Sequence, residues 1–353
     1  MNKHVPTIFP WPKDVAFTIE CGDNKLPAVW LPPQFEPTAC KAAGVKVRYL
    51  SVLGYYAKSG TIKSIPAKAG LAYAIKSGWT GRGKKILTES SGNFLASLKD
   101  AIDERDDIEL DLIGIISSKL PAGKRADLGR RDIDLMTELD LARELGLEKP
   151  VDSFTMVQMY SERYGIPNLD QYNCDYQGGW NRLSYKPIAD EVYRQLGDTV
   201  SLFDATAGTK GKFRGVGVEL KAQSPRTEIV ITFPYPGYAF PGGRDEEHIE
   251  KVRNSFGTDA LIRRRTDLYA AYERAKRLFL AGIPAGITFA AELATAEHRI
   301  LELLSEHRLE TIMGPDRVVT VLLVASDSIY PYLGEMREFA PHVFNDVVDP
   351  RFV

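Results

Sequence analysis

The stretch FDATAGTKGKFRGVGVELK, residues 203–221, has the pattern of a strand end, a glycine-containing loop and a helix start. Backbone amides at a helix N-terminus bind anions, and glycine lets the backbone fold around an oxyanion, so this order predicts a phosphate site. A solvent-exposed loop is the alternative. The stretch matches neither the P-loop nor the G-x-G-x-x-G dinucleotide pattern. The residues that would hold the phosphate are Gly208, Thr209, Lys210, Gly211 and Lys212.

A second stretch of the same kind, LTESSGNFLASL, occupies residues 87–98. A strand predicted over 84–88 runs into Ser90, Ser91, Gly92 and Asn93, and a helix is expected from about 94 to 104. Hydroxyls and free amides at that point suit a carboxylate. Serine and asparagine are also preferred N-cap residues, so a plain cap with a tight turn is the alternative.

Strands and helices alternate along most of the remaining chain. Further strands are predicted over 45–53, 108–116, 199–208, 227–236 and 317–326. Further helices are predicted over 66–78, 134–146, 154–163, 184–197, 246–254, 266–281 and 287–307. This alternation predicts an α/β protein with mostly parallel sheets covered by helices. The turn-rich segment 165–182 is expected to cross between two such units, and the Pro- and aromatic-rich first 45 residues to form an extended arm.

Composition excludes several classes of protein. The 353 residues carry 45 Lys and Arg against 47 Asp and Glu, and this balance argues against a nucleic-acid partner. The three cysteines, Cys21, Cys40 and Cys174, form no CxxC pair, which disfavours a disulfide framework or a metal site. No apolar run approaches a membrane span, so we expect a cytoplasmic protein with no membrane partner. Five histidines leave little scope for Ser-His-Asp chemistry.

Lys63, in SGTIKSIPAKAG, stands just before a helix that Pro66 opens. A surface lysine is the plain interpretation. Its apolar neighbours Ile62 and Ile65, and its position before the first anion site, suggest instead that it supplies a reactive amine. A pyridoxal-phosphate enzyme needs an amine, a carboxylate-binding site and a phosphate-binding site.

Four segments in order resemble the fold type II pyridoxal-phosphate enzymes of the cysteine synthase and cystathionine β-synthase family, from about residue 24 to about 333. Residues 60–67, GTIKSIPA, resemble the family's lysine motif, and 89–94, ESSGNF, resemble its substrate loop. Residues 208–215, GTKGKFRG, are similar to its phosphate loop, G-T-G-G-T-x-x-G, and 324–328, VASDS, to its last strand and turn. The resemblance implies two open, twisted, mostly parallel sheets in a tryptophan synthase β-like arrangement.

The resemblance also implies the cofactor, pyridoxal 5'-phosphate, and roles for single residues. Lys63 would bind the cofactor as an internal aldimine and remove the substrate α-proton. Asn93 would contact the cofactor 3-hydroxyl. Ser90, Ser91 and the amides of Gly92 to Phe94 would bind the substrate carboxylate, with Gln171 near the substrate, and residues 208–212 would bind the phosphate.

The chain departs from the family pattern at several of these positions. Ile65 replaces an arginine, and Phe94 replaces a threonine, a change expected to narrow the substrate pocket. Lys210 and Lys212 add two cations to the phosphate loop, where they would neutralise phosphate, attract an acidic second substrate, or simply be solvent-exposed. Pro284 stands where a serine is expected to meet the pyridine nitrogen, and proline has no donor. Either Thr288, one turn on, takes over, or the nitrogen has no side-chain partner.

These observations predict a transferase of amino-acid metabolism that performs β-replacement on an O-activated serine or cysteine through an aminoacrylate. A lyase that releases the aminoacrylate is one alternative, and a cofactor-binding protein without turnover is another. A small nucleophile would be the second substrate, and the resemblance implies a homodimer. The smaller, substrate-binding domain is expected at 48–170, and the larger, phosphate-binding domain at 1–47 with 171–353.

Overall fold

The protein is described here from a computed structural model, which covers residues 9–90, 92–118, 120, 122–172, 177–206, 208–236, 243, 261–314 and 316–350. Ten strands lie in these ranges: β1 Val15–Cys21, β2 Asn24–Trp30, β3 Lys46–Leu53, β4 Lys85–Glu89, β5 Asp111–Ile116, β6 Asp134–Thr137, β7 Val200–Thr206, β8 Glu228–Pro234, β9 Leu261–Thr266 and β10 Val318–Ala325.

Twelve α-helices lie in the same part of the chain. They are α1 Thr38–Ala42, α2 Ser64–Lys76, α3 Asn93–Asp103, α4 Ala122–Gly129, α5 Glu138–Leu145, α6 Ser153–Tyr164, α7 Trp180–Leu196, α8 Glu219–Gln223, α9 Leu268–Leu280, α10 Ile287–Ser305, α11 Leu333–Phe339 and α12 Pro341–Phe344. A π-helical segment, Phe213–Val218, leads into α8.

The larger sheet has seven strands in the order β1-β2-β3-β10-β7-β8-β9. From β3 to β9 all neighbouring strands are parallel, whereas β1 and β2 add an antiparallel edge. The nearly continuous apolar sequence of β10, VVTVLLVA, explains its central place, since strands buried on both faces are rich in Val and Leu. The carboxyl ends of β7 and β10, two neighbours, therefore lie at the same edge of the sheet.

The smaller sheet consists of the parallel strands β4, β5 and β6. Alternation along β5 divides its side chains between two hydrophobic clusters. Leu112 and Ile116 belong to the cluster that includes α3, while Ile113 and Ile115 belong to the cluster that includes α5 and α6. A Cβ added at Gly114 would lie 2.9 Å from Leu95 Cδ1, so glycine lets α3 approach this sheet closely.

The predicted α/β class with two mostly parallel sheets is confirmed. Two local predictions are wrong, and a third concerns residues that the structure does not describe. The predicted N-terminal arm is wrong over 15–30, where β1 and β2 form a hairpin with Gly22 at φ +62° in its turn. The predicted helix over 134–146 is wrong in its first turn, because Thr137 ends β6 in an extended conformation and caps α5. The helix predicted over 246–254 lies outside the described residues.

The chain divides into two compact units, Met1–Ile62 with Tyr185–Val353 and Lys63–Ser184. These bounds differ from the predicted domains, 48–170 and 1–47 with 171–353. The first difference arises because β3 pairs along its length with β10 in the larger sheet. The second arises because residues after 170 contact the smaller unit: Gln171 Nε2 donates to Glu89 O at 2.6 Å, and Trp180 belongs to the hydrophobic cluster that includes α3. The second boundary falls inside α7.

Candidate functional site

The predicted substrate loop lies at the carboxyl end of β4, in the smaller unit. Ser90 N donates to Ile115 O at 3.0 Å, and Ser90 Oγ accepts from Gly92 N at 3.1 Å. Gly92 is the N-cap of α3 with φ +120°, a conformation that favours glycine. Gly92 has no side chain with which to cap this helix, and the N-terminus of a helix suits an anion. Ser91 lies outside the described residues.

Gln171 lies beside this loop. Its Nε2 donates to the main-chain oxygen of Glu89 at 2.6 Å, and the side chain is buried. Its own carbonyl accepts from Asn181 Nδ2. The structure thus brings together Gln171 and the start of the substrate loop, 82 positions apart in sequence.

The side chain of Phe94 belongs to the core of the smaller unit. It is 1% exposed and stacks on Trp180, with ring centroids 5.9 Å apart and planes at 23°. The expectation that this ring narrows a substrate pocket is wrong, because its area is buried against α2 and Trp180. Only the backbone amide of Phe94 remains available at the N-terminus of α3.

Lys63 is the N-cap residue of α2, also in the smaller unit. Its backbone is already helical, with φ −67° and ψ −15°, and its carbonyl accepts from Ala67 N at 3.0 Å. Its side chain is half-buried. Since α2 packs against α3, Lys63 and the N-terminus of α3 lie on two adjoining helices.

The predicted phosphate loop follows β7 in the larger unit. Thr209, Lys210 and Lys212 are buried, so the alternative that the two lysines are simply solvent-exposed is wrong. Lys210 has φ +61° and replaces a glycine of the family pattern, so the loop keeps a left-handed backbone without the residue that usually allows it. The π-helical segment begins directly after Lys212.

The ammonium of Lys212 is bound inside the protein. It donates to Glu292 Oε1 at 2.6 Å, to Val324 O at 3.0 Å and to Ser326 Oγ at 3.3 Å. An ammonium has three N–H donors, and these contacts account for them. The expectation that Lys212 neutralises a phosphate or attracts an acidic substrate through its side chain is therefore wrong.

Glu292, on α10, is fully buried and ties this cluster to β7. Its Oε1 accepts from Thr206 N at 2.8 Å and from Thr206 Oγ1 at 2.7 Å, besides Lys212. Its Oε2 is buried with no hydrogen-bond partner among the described residues. The same holds for Thr288 Oγ1, one helical turn earlier. We call Thr206, Lys212, Thr288 and Glu292 the β7-end cluster.

Pro284 lies next to this end of the sheet, and its carbonyl accepts from Ile329 N at 2.8 Å. Gly286 N donates to Asp327 O at 2.9 Å, so the segment before α10 runs along the segment after β10. A Cβ at Gly286 would meet Asp327 Oδ1 at 2.2 Å, and only glycine permits this approach. Proline offers no donor here, as expected.

A second buried carboxyl, Asp204, lies on β7 two residues before Thr206. Its Oδ1 accepts from Thr232 Oγ1 at 2.7 Å and its Oδ2 from Thr295 Oγ1 at 2.6 Å. Burial raises the pKa of the Asp204 carboxyl well above its usual range, and the nearby charge of Glu292 adds to the effect. Unlike Glu292, Asp204 has a partner on each oxygen.

Sequence reasoning missed Thr206, Glu292 and Ser326. A signal for Glu292 existed: it is the one acid within the otherwise uncharged run ITFAAELATA, 287–296, which is also the helix that follows Pro284. In the described ranges, no three His, Cys, Asp or Glu side chains group as metal ligands. In those ranges too, every helix is too short or too polar to cross a membrane.

Comparison with known proteins relates the chain to cysteine synthases. No protein-family model matches it. A cysteine synthase B of Pseudomonas aeruginosa is 26% identical over 207 residues, 58% of this chain and 65% of the relative. A cysteine synthase of Aquifex aeolicus is 26% identical over 198 residues, 54% of this chain and 55% of the relative. The matched part thus spans 55% to 65% of these relatives' length.

Two solved structures share the architecture. O-ureido-L-serine synthase has a TM-score of 0.64 at 19% identity, covering 92% of this chain and 93% of its own. The O-acetylserine dependent cystathionine β-synthase from Helicobacter pylori has a TM-score of 0.64 at 15% identity, covering 88% and 94%. The chain has the fold type II architecture and is related in sequence to cysteine synthases, so the predicted fold and resemblance are confirmed.

Proposed function

We propose that this chain is a pyridoxal-phosphate-dependent enzyme that performs β-replacement on a small amino acid. The substrate carries a leaving group on Cβ, as an O-activated serine or cysteine does, and a small nucleophile replaces it. The observation that carries this proposal is the sequence relationship to two cysteine synthases. The glycine N-cap of α3 and the buried glycine-containing loop after β7 add chemical support.

The larger unit fits the cofactor, because it holds a buried hydroxyl without a partner, Thr288 Oγ1, beside a glycine-containing loop. In the proposal, Gly208 to Lys212 bind the phosphate through main-chain amides and the hydroxyl of Thr209. Thr288 contacts the ring nitrogen in place of Pro284. When bound, the cofactor supplies an electron sink for charge that develops at the substrate α-carbon.

The smaller unit supplies the groups that act on the substrate. Lys63 Nζ binds the cofactor and then takes the proton from the substrate α-carbon. Asn93 contacts the cofactor 3-hydroxyl. The substrate carboxylate is bound by Ser90, Ser91 and the amides of Gly92 to Phe94, where the helix N-terminus favours negative charge. Gln171, hydrogen-bonded to the end of β4, lies near the substrate.

The cofactor lysine is tested by absorption and mass spectrometry. Purified protein with pyridoxal phosphate is expected to show a visible band, and borohydride reduction is expected to attach the cofactor to Lys63. Lys63→Ala removes the band. Lys68→Ala, one turn along α2 and paired with Glu104 at 2.8 Å near the surface, retains it. A band that survives Lys63→Ala would refute the assignment.

The reaction is tested by product analysis with O-acetylserine. With sulfide present we expect cysteine as the product, and without an acceptor little release of pyruvate and ammonia. Pyruvate formed at the same rate with and without sulfide, thiols or amines would instead identify a lyase. Tight binding of pyridoxal phosphate with no product from any serine or cysteine derivative would identify a binding protein.

Assembly as a homodimer in the cytoplasm belongs to the same proposal. Cys21 and Cys40 are free and buried, as is usual in a reducing compartment. Light scattering of the purified protein tests the dimer, with a mass of about twice 39.3 kDa expected. A monomeric mass at micromolar concentration would exclude it.

A further inference from the structure

The two oxygens of Glu292 are used unequally. Three donors converge on Oε1, from Thr206 N, Thr206 Oγ1 and Lys212 Nζ, while Oε2 has none among the described residues. A buried carboxylate oxygen without a donor loses the hydration it had in water, so such an atom normally has a partner. The missing partner must be a hydrogen-bond donor, because an ionised carboxylate only accepts.

Thr288 Oγ1, one helical turn away, is also buried without a hydrogen-bond partner among the described residues. Residues four apart on a helix lie on one face, so the two unpartnered atoms belong to neighbouring positions on α10. Thr206 Oγ1 lies 3.4 Å from the carbonyl oxygen of Thr288, which ties this face to the end of β7. Ligands of parallel α/β sheets bind beyond such carboxyl ends.

Two of the neighbouring charged groups, Lys212 and Asp204, are otherwise occupied. The ammonium of Lys212 donates its three hydrogen bonds to Glu292 Oε1, Val324 O and Ser326 Oγ. Asp204, two residues from Thr206, has a threonine hydroxyl on each oxygen. Pro284 has no donor to offer. At this strand end, Thr288 and Glu292 are therefore the side chains of the β7-end cluster that still require a ligand.

We propose that Glu292 Oε2, together with Thr288 Oγ1, receives the ring nitrogen of the cofactor and holds it protonated. This inference rests on the proposed function, since it assumes that pyridoxal phosphate binds at this strand end. A pyridinium N–H is a charged donor, and a charge-assisted hydrogen bond to a carboxylate is among the stronger ones. Lys212 then orients the carboxylate and keeps Oε1 from competing for the same proton.

This hydrogen bond would make the cofactor ring a stronger electron sink than Pro284 alone suggests. Without a partner the nitrogen would stay unprotonated and the ring would be a weak electron sink. Held by Glu292, the ring withdraws electrons more strongly. Proline at 284 is then tolerated because α10 supplies the partner from its first two turns.

The test is a nitrogen-15 NMR measurement on protein loaded with ring-labelled pyridoxal phosphate. The wild type is expected to give a chemical shift in the pyridinium range near neutral pH. Glu292→Gln moves it to the neutral pyridine range, whereas Asp204→Asn, which removes a nearby carboxyl with both oxygens partnered, leaves it unchanged. A neutral shift in the wild type, with the visible band present, overturns the inference and leaves a water as the occupant.

A second measurement does not depend on the Glu292 variant folding. The wild-type protein without cofactor is titrated with pyridoxal phosphate and with its deaza analogue, in which a C–H replaces the ring nitrogen. A charge-assisted bond predicts that pyridoxal phosphate binds about ten to a hundred times more tightly. Equal affinities overturn the inference. Failure to bind either compound overturns the proposed function instead.

Discussion

Replacement of Lys212 by methionine tests whether the β7-end cluster contains a true buried ion pair. Methionine matches the length of the lysine stem but removes the ammonium that contacts Glu292 at 2.6 Å and Val324 O at 3.0 Å. Glu292 is fully buried, so it would be left as an uncompensated charge. Removal of one partner from such a pair costs about 3–5 kcal/mol. We expect a loss of that size at pH 7.

Urea unfolding of the protein without cofactor measures this loss, followed by far-UV circular dichroism. The double variant Lys212→Met/Glu292→Gln removes both charges and is expected to be more stable than the sum of the single losses predicts, by about 1–3 kcal/mol.

An exposed pair provides the control. Lys25 and Glu20 lie 3.8 Å apart with side chains 69% and 70% exposed, so Lys25→Met should cost less than about 0.5 kcal/mol. The reasoning is refuted if Lys212→Met costs under about 1 kcal/mol at pH 7. It is refuted as well if the two single losses simply add in the double variant.

Three further variants test the packing and protonation described above. Phe94→Ala should cost about 3–5 kcal/mol in urea unfolding, since the ring is buried against Trp180; a loss below about 1 kcal/mol would place the ring outside the core. Gly114→Ala should lower the free energy of unfolding by about 1–3 kcal/mol, because the new Cβ would lie 2.9 Å from Leu95. Gly129→Ala, whose Cβ would have no atom within 4 Å, should be neutral or stabilising, and equal effects of the two variants would contradict this prediction. Asp204 has a raised pKa, so the folded wild type binds an extra proton, and its stability relative to Asp204→Asn should fall as pH rises from about 4, by at most about 1.4 kcal/mol per pH unit; a flat difference would contradict it.

The strand-loop-helix units were predictable because their signals are local. In 84–104 and 199–221 an apolar run, glycine or serine, and a helical pattern follow one another within about 20 residues. The N-terminal hairpin was missed because its proline-rich flanks obscure the strands. Strand β2 also depends on pairing with β3, whose partner residues lie 20 to 24 positions later in the sequence. The start of α5 was also misplaced. Thr137 Oγ1 accepts from Asp140 N and so caps the helix, within a segment whose sequence looks helical throughout.

The β7-end cluster could not be predicted for a different reason. Lys212 and Glu292 are 80 positions apart, and Val324 is 112 positions from Lys212. No periodic pattern links them, because the sheet order that brings β7 beside β10 is a property of the whole fold. What the sequence does show is two departures, a lysine in a phosphate loop and a proline in place of a donor, with no indication that they are neighbours.

The two departures are best understood as one change. If Lys212 bound only the phosphate, its ammonium would not be bonded to Glu292 Oε1, Val324 O and Ser326 Oγ. If Glu292 were only the counter-ion of Lys212, its second oxygen would have no reason to remain buried without a donor, since that arrangement is unfavourable. Both features make sense if the carboxylate has a further ligand that carries a proton. The phosphate is then left to main-chain amides and the helix N-terminus, which bind anions without a side-chain cation. On this view the loss of a donor at Pro284 and the gain of a cation at Lys212 compensate each other through Glu292.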